Sequence, residues 1–237
     1  SFMHEILEKY FKGLITIPEM RELYETDYAD RVNIKFPPNK WVDLAQSYYD
    51  DGLQFLDSFT GLNEKYKVLG VELEVKLPIE GYKTIGYIDL LLENTETGEL
   101  TVVDHKSKKR FSSKKEELDY RRQLLFYGIY VKHLFGKYPS FVDFDLFRSH
   151  QHVIAPFSES ECDEVKNWFV QTIDAACHDE IFEDKIKRHC RETFEDVDTV
   201  GKNDFFCSHI CSVRESCPRS SAYKKRSRRK KKGDSSR

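Results

Sequence analysis

The chain has 237 residues, of which 39% are hydrophobic, 14% are aromatic and 33% are charged. This composition can supply a hydrophobic core, so it excludes a disordered protein. No run approaches the ~20 consecutive apolar residues of a membrane span, and the chain does not open with a signal-peptide pattern. We therefore expect an intracellular, cytoplasmic protein that makes no contact with a membrane.

The formal net charge of −3 conceals an asymmetry between the body of the chain and its C-terminal tail. Residues 218–237 carry ten Lys or Arg and one acid, a charge of +9, which leaves −12 on residues 1–217. A body this acidic repels nucleic acid on average, so any contact with nucleic acid must be local or helped by the tail. The tail is typical of an arm for phosphate backbones, a nuclear-targeting patch or a disordered solubilising segment. A nuclear or viral setting therefore stays open.

The N-terminal part of the sequence predicts two helices. Residues 2–14 place apolar side chains at helical spacing, and Gly13 and the later Pro18 mark the end of this helix. Residues 41–59 repeat the pattern. Between the two helices, Pro37-Pro38-Asn39 predicts a loop.

The middle of the sequence predicts three strands, because the apolar period changes to two at Val68. The strands cover residues 68–79, 82–92 and 100–105, and the stretches between them are rich in turn-forming residues. Since these connections are short, the three strands are expected to pair antiparallel.

The rest of the sequence returns to helical period over residues 115–135 and then predicts strands at 141–147 and 151–157. Ser158 to Glu161 supply a capping residue and early acids that open another helix. The order of elements predicts a mixed α/β domain, in which a central sheet is flanked by helices.

Asp104 and Lys106 carry the clearest chemical signal. They lie two residues apart at the end of the third strand, so both side chains point to one face. Asp89, in the preceding strand, lies beside Asp104 if the strand register allows it. Its neighbours are apolar, which makes an unpaired charge costly and a metal site a plausible resolution. A surface salt bridge between Asp104 and Lys106 is the alternative explanation.

This set of residues suits phosphodiester hydrolysis. Two carboxylates supply hard oxygen ligands for Mg²⁺ or Mn²⁺, which neutralise phosphate charge and lower the pKa of a bound water. Lys106 can orient or deprotonate that water, or stabilise charge on the phosphorus oxygens. Farther along the chain, Gln123 and Tyr127 share one helix face, where they could position the substrate backbone or the lysine.

These motifs, in this order, resemble the RecB-like branch of the PD-(D/E)XK nuclease superfamily, which includes CRISPR-adaptation and AddB-type exonucleases. Gly86-x-x-Asp89 is similar to its second motif, Asp104-x-Lys106 to its third, and Gln123 to Tyr127 to its Gln-x-x-x-Tyr motif. The resemblance spans about residues 2–217. It implies a restriction-endonuclease-like α/β core with a central mixed sheet flanked by helices.

The resemblance adds two further site residues. The helix that begins the chain looks like the one that carries the family's metal-binding histidine, which makes His4 the third metal ligand beside Asp89 and Asp104. Because imidazole is a softer ligand than carboxylate, this set favours Mn²⁺ over Mg²⁺. Family members commonly show a glutamate in the first strand; Glu72 and Glu74 share a face there, and position in the pattern favours Glu72.

Three cysteines cluster near the end of the body, as Cys207-x₃-Cys211-x₅-Cys217. In an intracellular protein this clustering indicates a metal site more than disulfides. Many RecB-like nucleases hold an iron–sulfur cluster with one cysteine ahead of the histidine helix and three near the C-terminus. The trio resembles the C-terminal half of that 4Fe–4S site.

Two departures from the family pattern bear on this cluster. The first gap is three residues where two is more usual, and no cysteine precedes His4. The chain begins with Ser1 rather than Met, so one expectation is an absent N-terminal portion that carries the fourth ligand. Cys190 is the fallback ligand. A zinc site that includes His209 and a set of reduced thiols are the alternatives.

The remaining cysteines, Cys162 and Cys177, lie in a helical stretch and are expected to be small core residues. The resemblance divides the domain of residues 1–217 into a helical part, a catalytic sheet and helix, and a C-terminal helical and Cys-rich part, followed by a basic flexible tail. The boundaries of these four parts are 1–67, 68–157, 158–217 and 218–237.

The function expected from the resemblance is a metal-dependent DNA nuclease of repair or recombination. Its substrate is expected to be single-stranded DNA or DNA ends, cleaved as an exonuclease. An end-trimming CRISPR-adaptation nuclease and a sequence-specific endonuclease are enzyme alternatives. A DNA-binding or assembly module with a catalytically silent nuclease-like core is the non-enzyme alternative.

Overall fold

The structure, a computed structural model, describes residues 1–34, 36 and 40–177. The chain divides into two compact units, Ser1–Phe169 and Val170–Arg237. Of the second unit, the described residues are 170–177. The loop predicted at Pro37-Pro38-Asn39, the cysteine ligands expected at Cys190, Cys207, Cys211 and Cys217, His209 and the basic tail all lie outside the described residues.

Three helices form the N-terminal part: α1 (Phe2–Phe11), α2 (Ile17–Arg31) and α3 (Leu44–Ser58). Their apolar faces pack together in one cluster, to which α1 contributes Ile6, α2 contributes Met20 and α3 contributes Phe55. The second predicted helix is confirmed but begins later than residue 41. Trp41 precedes it with 80% of its surface exposed.

Helix α2 was not predicted from the sequence, because Pro18 was interpreted as marking the end of the preceding helix. Pro18 instead lies in the first turn of α2, where its missing N–H costs nothing. The Thr16 hydroxyl and the Glu19 carboxylate form a capping box around this turn. Gly13, with φ at +69°, allows the chain to turn between α1 and α2.

The sheet has five strands in the spatial order β1-β2-β3-β4-β5. Strands β1, β2 and β3 pair antiparallel, as predicted. Strand β4 pairs parallel with β3 and antiparallel with β5. The strand bounds are β1 Tyr66–Ile79, β2 Tyr82–Asn94, β3 Leu100–His105, β4 Phe141–Leu146 and β5 Gln151–Pro156.

Helix α4 (Lys114–Phe135) makes the crossover from β3 to β4, which is why these two strands run parallel. Its N-cap Ser113 accepts a hydrogen bond from the Glu116 N–H, and Gly136 ends it in the left-handed conformation. Leu124 and Val131 of α4 belong to the largest apolar cluster, together with residues of all four of the first strands. This packing fixes α4 against the sheet beside the end of β3.

The sheet is covered on its other face as well. Leu90 and Val103 form a smaller cluster there with Phe11 of α1. Adjacent residues of β3 therefore serve opposite faces, and five of its six residues are buried. The mixed sheet flanked by helices confirms the expected fold class.

The last described helix is α5 (Cys162–Cys177), which follows a short 3-10 turn at Glu159–Glu161. It begins later than the predicted start near Ser158. Cys162 is buried, as expected of a small core residue. Among the helices that the structure describes, none is both long enough and apolar enough to cross a membrane.

Candidate active site

Strand register brings the two predicted carboxylates together. Leu90 of β2 pairs with Val103 of β3, so one step along the same antiparallel register places Asp89 opposite Asp104. The His105 main-chain N–H donates to Asp89 Oδ2 over 2.8 Å, which fixes the orientation of this carboxylate. The sequence prediction required a register that brings Asp89 beside Asp104, and the strands have that register.

Asp104 is a buried carboxylate with 1% of its surface exposed. Its Oδ2 lies 2.6 Å from Lys106 Nζ in an ion pair, and no other described group donates to this oxygen. Burial raises the pKa of Asp104 to about 6; the Lys106 ammonium opposes the rise and the Asp89 charge adds to it. A further cation beside this carboxylate would favour its charged form.

Gln123 and Tyr120 of α4 contact Lys106, and Tyr127 contacts Gln123. Its Nζ donates to Gln123 Oε1 over 3.2 Å, and Gln123 Nε2 donates to the Tyr127 hydroxyl over 2.6 Å. Lys106 Nζ also lies 5.0 Å from the centre of the Tyr120 ring. Burial raises the pKa of Tyr127 to about 12, so its hydroxyl stays protonated. The lysine is thus positioned by one contact from its own strand and two from the helix.

Glu72 of β1, Asp89 of β2 and Asp104 of β3 form one row across three neighbouring strands. The β1–β2 register pairs Val71 with Leu90 and Leu73 with Ile88, which places Glu72 opposite Asp89. Glu72 has a left-handed φ of +47°, and the strand register shifts between Val68 and Gly70. Burial raises the pKa of Glu72, and the charges of Asp89 and Glu8 raise it further.

Glu74, the alternative to Glu72, has different surroundings. Its carboxylate pairs with Lys76 and accepts a hydrogen bond from the Tyr87 hydroxyl, in an exposed cluster. The left-handed backbone at Glu72 interrupts the alternation that put both glutamates on one face of an ideal strand. The charge of Asp89 therefore acts on Glu72, while Glu74 is neutralised by the exposed Lys76.

His4 of α1 reaches the end of β3. Its Nε2 lies 2.6 Å from the His105 carbonyl oxygen and 3.9 Å from Asp89 Oδ2, and its Nδ1 contacts the Ser1 hydroxyl. Because a carbonyl only accepts, Nε2 carries the ring hydrogen in this contact. Burial lowers the pKa of His4, which favours the neutral imidazole that can act as a ligand; the bond to the His105 carbonyl partly opposes this.

A family model described as the PD-(D/E)XK nuclease superfamily matches residues 1–218. This chain belongs to that superfamily. Its members are generally nucleases, which hydrolyse nucleic acid and typically use divalent metals such as Mg²⁺. A comparison with curated proteins finds no match to the chain.

In this PD-(D/E)XK chain, Gly86 allows α4 to pack closely on β2 near Asp89. A Cβ at Gly86 would lie 2.3 Å from a ring carbon of Tyr130 on α4. Only glycine lets the helix approach the sheet this closely, one turn beyond the Gln123 and Tyr127 pair.

Two groups of this candidate active site were not identified from the sequence. The first is the His105 carbonyl, which faces His4; every residue has a carbonyl, so no pattern could single it out. The second is Asp145 of β4, which holds the end of β3 twice. Its Oδ2 lies 2.8 Å from His105 Nδ1, and its carbonyl accepts from the Lys106 N–H over 2.8 Å.

The chemistry of the donor groups at this candidate site suits a divalent cation. Asp89 Oδ2 and the His105 carbonyl oxygen are hard oxygen donors that both lie within 4 Å of His4 Nε2, and Asp104, opposite Asp89, has an oxygen without a hydrogen-bond donor. Within the described ranges, however, no three His, Cys, Asp or Glu side chains are already arranged as a metal site. His4 would also have to move its hydrogen from Nε2 to Nδ1 to serve as a ligand.

Proposed function

We propose that this protein is a metal-dependent DNA nuclease, an exonuclease that hydrolyses phosphodiester bonds in single-stranded DNA or at DNA ends. The observation that supports it best is the contact set of Lys106, which joins Asp104 on the strand to Gln123 on the helix. A surface salt bridge would need neither the burial of Asp104 nor a helix residue that orients the lysine. Both features suit a group held ready for a substrate.

In this proposal Asp89, Asp104 and His4 hold the cation, with the His105 carbonyl beside them. A bound Mg²⁺ or Mn²⁺ supplies Lewis-acid activation of water and neutralises charge on the phosphate. The nitrogen ligand favours Mn²⁺ in competition. Lys106, oriented as a donor by Gln123, stabilises the charge that develops on the phosphate oxygens or orients the attacking water.

Glu72 and Tyr127 have supporting parts in this proposal. Glu72 lies opposite Asp89, where its carboxylate adds negative charge beside the proposed cation. It can also accept a hydrogen bond from a water molecule at this position. Tyr127 donates no bond to the lysine itself but holds the Gln123 amide through its hydroxyl. Its effect on catalysis therefore runs through Gln123.

We propose that the chain belongs to the RecB-like branch of the superfamily. Two features support this proposal: a helix ahead of the sheet whose histidine ring contacts the end of β3, and a Gln-x-x-x-Tyr motif whose glutamine contacts the lysine and whose tyrosine contacts that glutamine. Both are geometric counterparts of the motifs that carried the resemblance. A role in DNA repair or recombination follows as part of the same proposal.

A 4Fe–4S cluster held by Cys207, Cys211 and Cys217, with Cys190 as the fourth ligand, is proposed from the sequence alone. Protein purified without oxygen should then contain iron and acid-labile sulfide and show the broad visible absorption of such a cluster. Stoichiometric zinc without iron would support the tetrahedral Cys₃His alternative instead.

Cleavage assays with a matched lysine control test the proposed nuclease. The wild-type chain with Mn²⁺ or Mg²⁺ should degrade labelled single-stranded DNA, and end-blocked substrates should resist if it is an exonuclease. Lys106→Ala should lower the cleavage rate by about 10²–10⁴-fold and spare DNA binding. Lys83→Ala, an exposed lysine of β2, should cleave like the wild type.

Two results would count against the proposal. Wild-type protein that binds DNA but leaves single-stranded and double-stranded substrates intact with both metals would favour the binding or assembly module. Equal activity in Lys106→Ala would remove the lysine from the chemistry.

A further inference from the structure

A cavity of about 340 Å³ adjoins the candidate active site. Aromatic side chains from the three N-terminal helices line it, among them Phe2, Tyr24, Tyr28 and Tyr48. Phe2 stacks on Tyr24 with ring centres 5.8 Å apart, and Tyr48 is 39% exposed. We call this cavity the aromatic pocket. Its lining is rich in aromatic rings, the side chains on which nucleobases stack.

The aromatic pocket lies next to the residues that carry the chemistry. Ser107, which follows Lys106 directly, lines it, and so does Phe147. The Phe147 ring is 5.8 Å from the His4 ring in an edge-to-face contact. A group bound in the pocket would therefore contact Phe147, which packs on His4, and would lie next to the residue that follows Lys106.

Arg148 brings a cation into the same pocket. Its guanidinium lies 3.6 Å from the centre of the Tyr48 ring, and its NH2 donates to Asp51 Oδ2 over 2.7 Å. The other oxygen of Asp51 lies 2.8 Å from Lys109 Nζ. Asp51 is 7% exposed and thus ties the pocket to the segment that follows Lys106.

That segment, residues 107–115, is the most basic stretch of the described chain. It contains five Lys or Arg and no acid, although residues 1–217 as a whole carry a net negative charge. Arg110, Lys114 and Lys115 are exposed. Within the described part of the chain, Arg110 and Lys115 have no ion-pair partner, so their charge is not neutralised internally. We call residues 107–115 the basic segment.

We propose that the aromatic pocket and the basic segment together bind an unpaired DNA strand, with phosphates on the basic segment and one base in the pocket. This inference rests on the proposed function and specifies its substrate as single-stranded. Rings and a guanidinium accept any base face, while a base in a duplex is stacked and paired and does not enter. The basic segment supplies the local attraction that an acidic body otherwise lacks.

An abasic scan of the substrate tests the pocket. A labelled oligonucleotide with one abasic site, moved position by position, is bound to the full chain carrying Lys106→Ala, so that no cleavage occurs. At one position the missing base should weaken binding roughly tenfold, because stacking of one base contributes on that order. Adding Tyr48→Ala should weaken the intact oligonucleotide by a similar factor and abolish the penalty at that position.

Two control variants and a second pocket variant complete this test. Tyr48→Phe keeps the ring and should retain the penalty. Tyr66→Ala removes a tyrosine of similar exposure from β1 and should also retain it. Tyr28→Ala is a second pocket variant and should lose it, which keeps the test valid if Tyr48→Ala folds poorly.

The basic segment is tested by the salt dependence of binding. Arg110→Ala with Lys115→Ala should lower the slope of log affinity against log salt by about 0.7 for each phosphate that the segment no longer neutralises. Lys67→Ala with Lys83→Ala removes two exposed lysines of the β1–β2 hairpin and should leave the slope unchanged.

The outcomes separate this inference from the proposed function. Wild-type hydrolysis of bis(p-nitrophenyl) phosphate with Mn²⁺ reports the chemistry without a base or a strand. If that hydrolysis is present but the scan is flat, or the penalty persists in Tyr48→Ala, the pocket does not bind a base and the inference is overturned. A change in self-association caused by Tyr48→Ala, with the penalty intact, would assign the pocket to a contact between copies of this chain and would equally overturn it.

Discussion

At the scale of single residues, the position of Lys106 depends on Gln123. The Gln123 amide uses its oxygen for the lysine and its nitrogen for Tyr127, so its orientation is fixed. Gln123→Ala should therefore lower kcat by about 10–100-fold with little change in KM, since the ammonium loses a positioning contact that does not bind the substrate.

A matched helix variant checks that effect. Gln54→Ala removes an exposed glutamine of α3 and should leave kcat unchanged. Tyr127→Phe should have a smaller effect than Gln123→Ala, because the amide retains its bond to the lysine. Steady-state kinetics that show only a raised KM for Gln123→Ala would instead place this residue in substrate binding.

The buried carboxylate of Asp104, a proposed metal ligand, lowers the stability of the fold when it is charged. Its pKa in the fold is about 6, above its ordinary value of 3.8, so the fold is most favoured with Asp104 protonated and loses stability as pH rises from 3.8 through 6. In metal-free buffer at pH 8, Asp104→Asn should raise the free energy of unfolding by about 1–2 kcal/mol. This gain is smaller than the rise of the Asp104 pKa alone implies, because Lys106 loses its ion pair in the variant.

Urea unfolding at several pH values measures this effect. The advantage of Asp104→Asn should shrink below pH 6 and vanish near pH 4, where the wild-type carboxyl is largely protonated in the fold. Mn²⁺ should raise the midpoint of the wild type and not that of the variant. An advantage that grows as the pH falls would contradict the assigned cause.

Residue spacing predicted that Asp104 and Lys106 share one face, because strand alternation is a local rule. It placed Asp89 beside them only on condition of a strand register that the sequence left open. It could not predict that Asp104 is almost fully buried, since burial depends on how α4 packs on the sheet. Nor could it identify Asp145, which reaches the site only through a parallel pairing with a strand 40 residues away.

At the scale of elements, the strands were predicted well and the helices less well. The three antiparallel strands have period-two patterns bounded by turn residues, which leave little ambiguity. Helix α2 has no marked apolar stripe and begins with a proline in its first turn, so periodicity provides no signal for it. The capping box at Thr16 and Glu19, with Pro18 inside it, was the available signal.

The packing of α4 on β2 depends on a glycine contact. Gly86→Ala should lower the free energy of unfolding by about 1–3 kcal/mol, because the new methyl group meets the Tyr130 ring. Ile85→Ala, at a neighbouring exposed position, should cost much less. Denaturant unfolding of the two variants makes the comparison, and equal losses would show that the helix can shift to accept the methyl.

At the scale of the whole molecule, charge is divided between a negative body and a positive tail. Deletion of residues 218–237 removes +9 of charge. If the tail binds phosphates of a single strand, its removal should weaken DNA binding and lower the salt slope by about 0.7 for each phosphate that it had neutralised. Hydrolysis of a small phosphodiester should be unaffected. An unchanged salt slope would identify the tail as a solubilising or targeting segment.

The row formed by Glu72, Asp89 and Asp104 on three neighbouring strands also limits how the chain can change in length. A single insertion within the paired parts of β1, β2 or β3 would turn every later side chain to the opposite face and separate the carboxylates. Insertions at the Glu80-Gly81 turn or in residues 95–99 leave that pairing intact. We expect length variation among functional homologues, and tolerated loop grafts in engineering, to concentrate at these two turns.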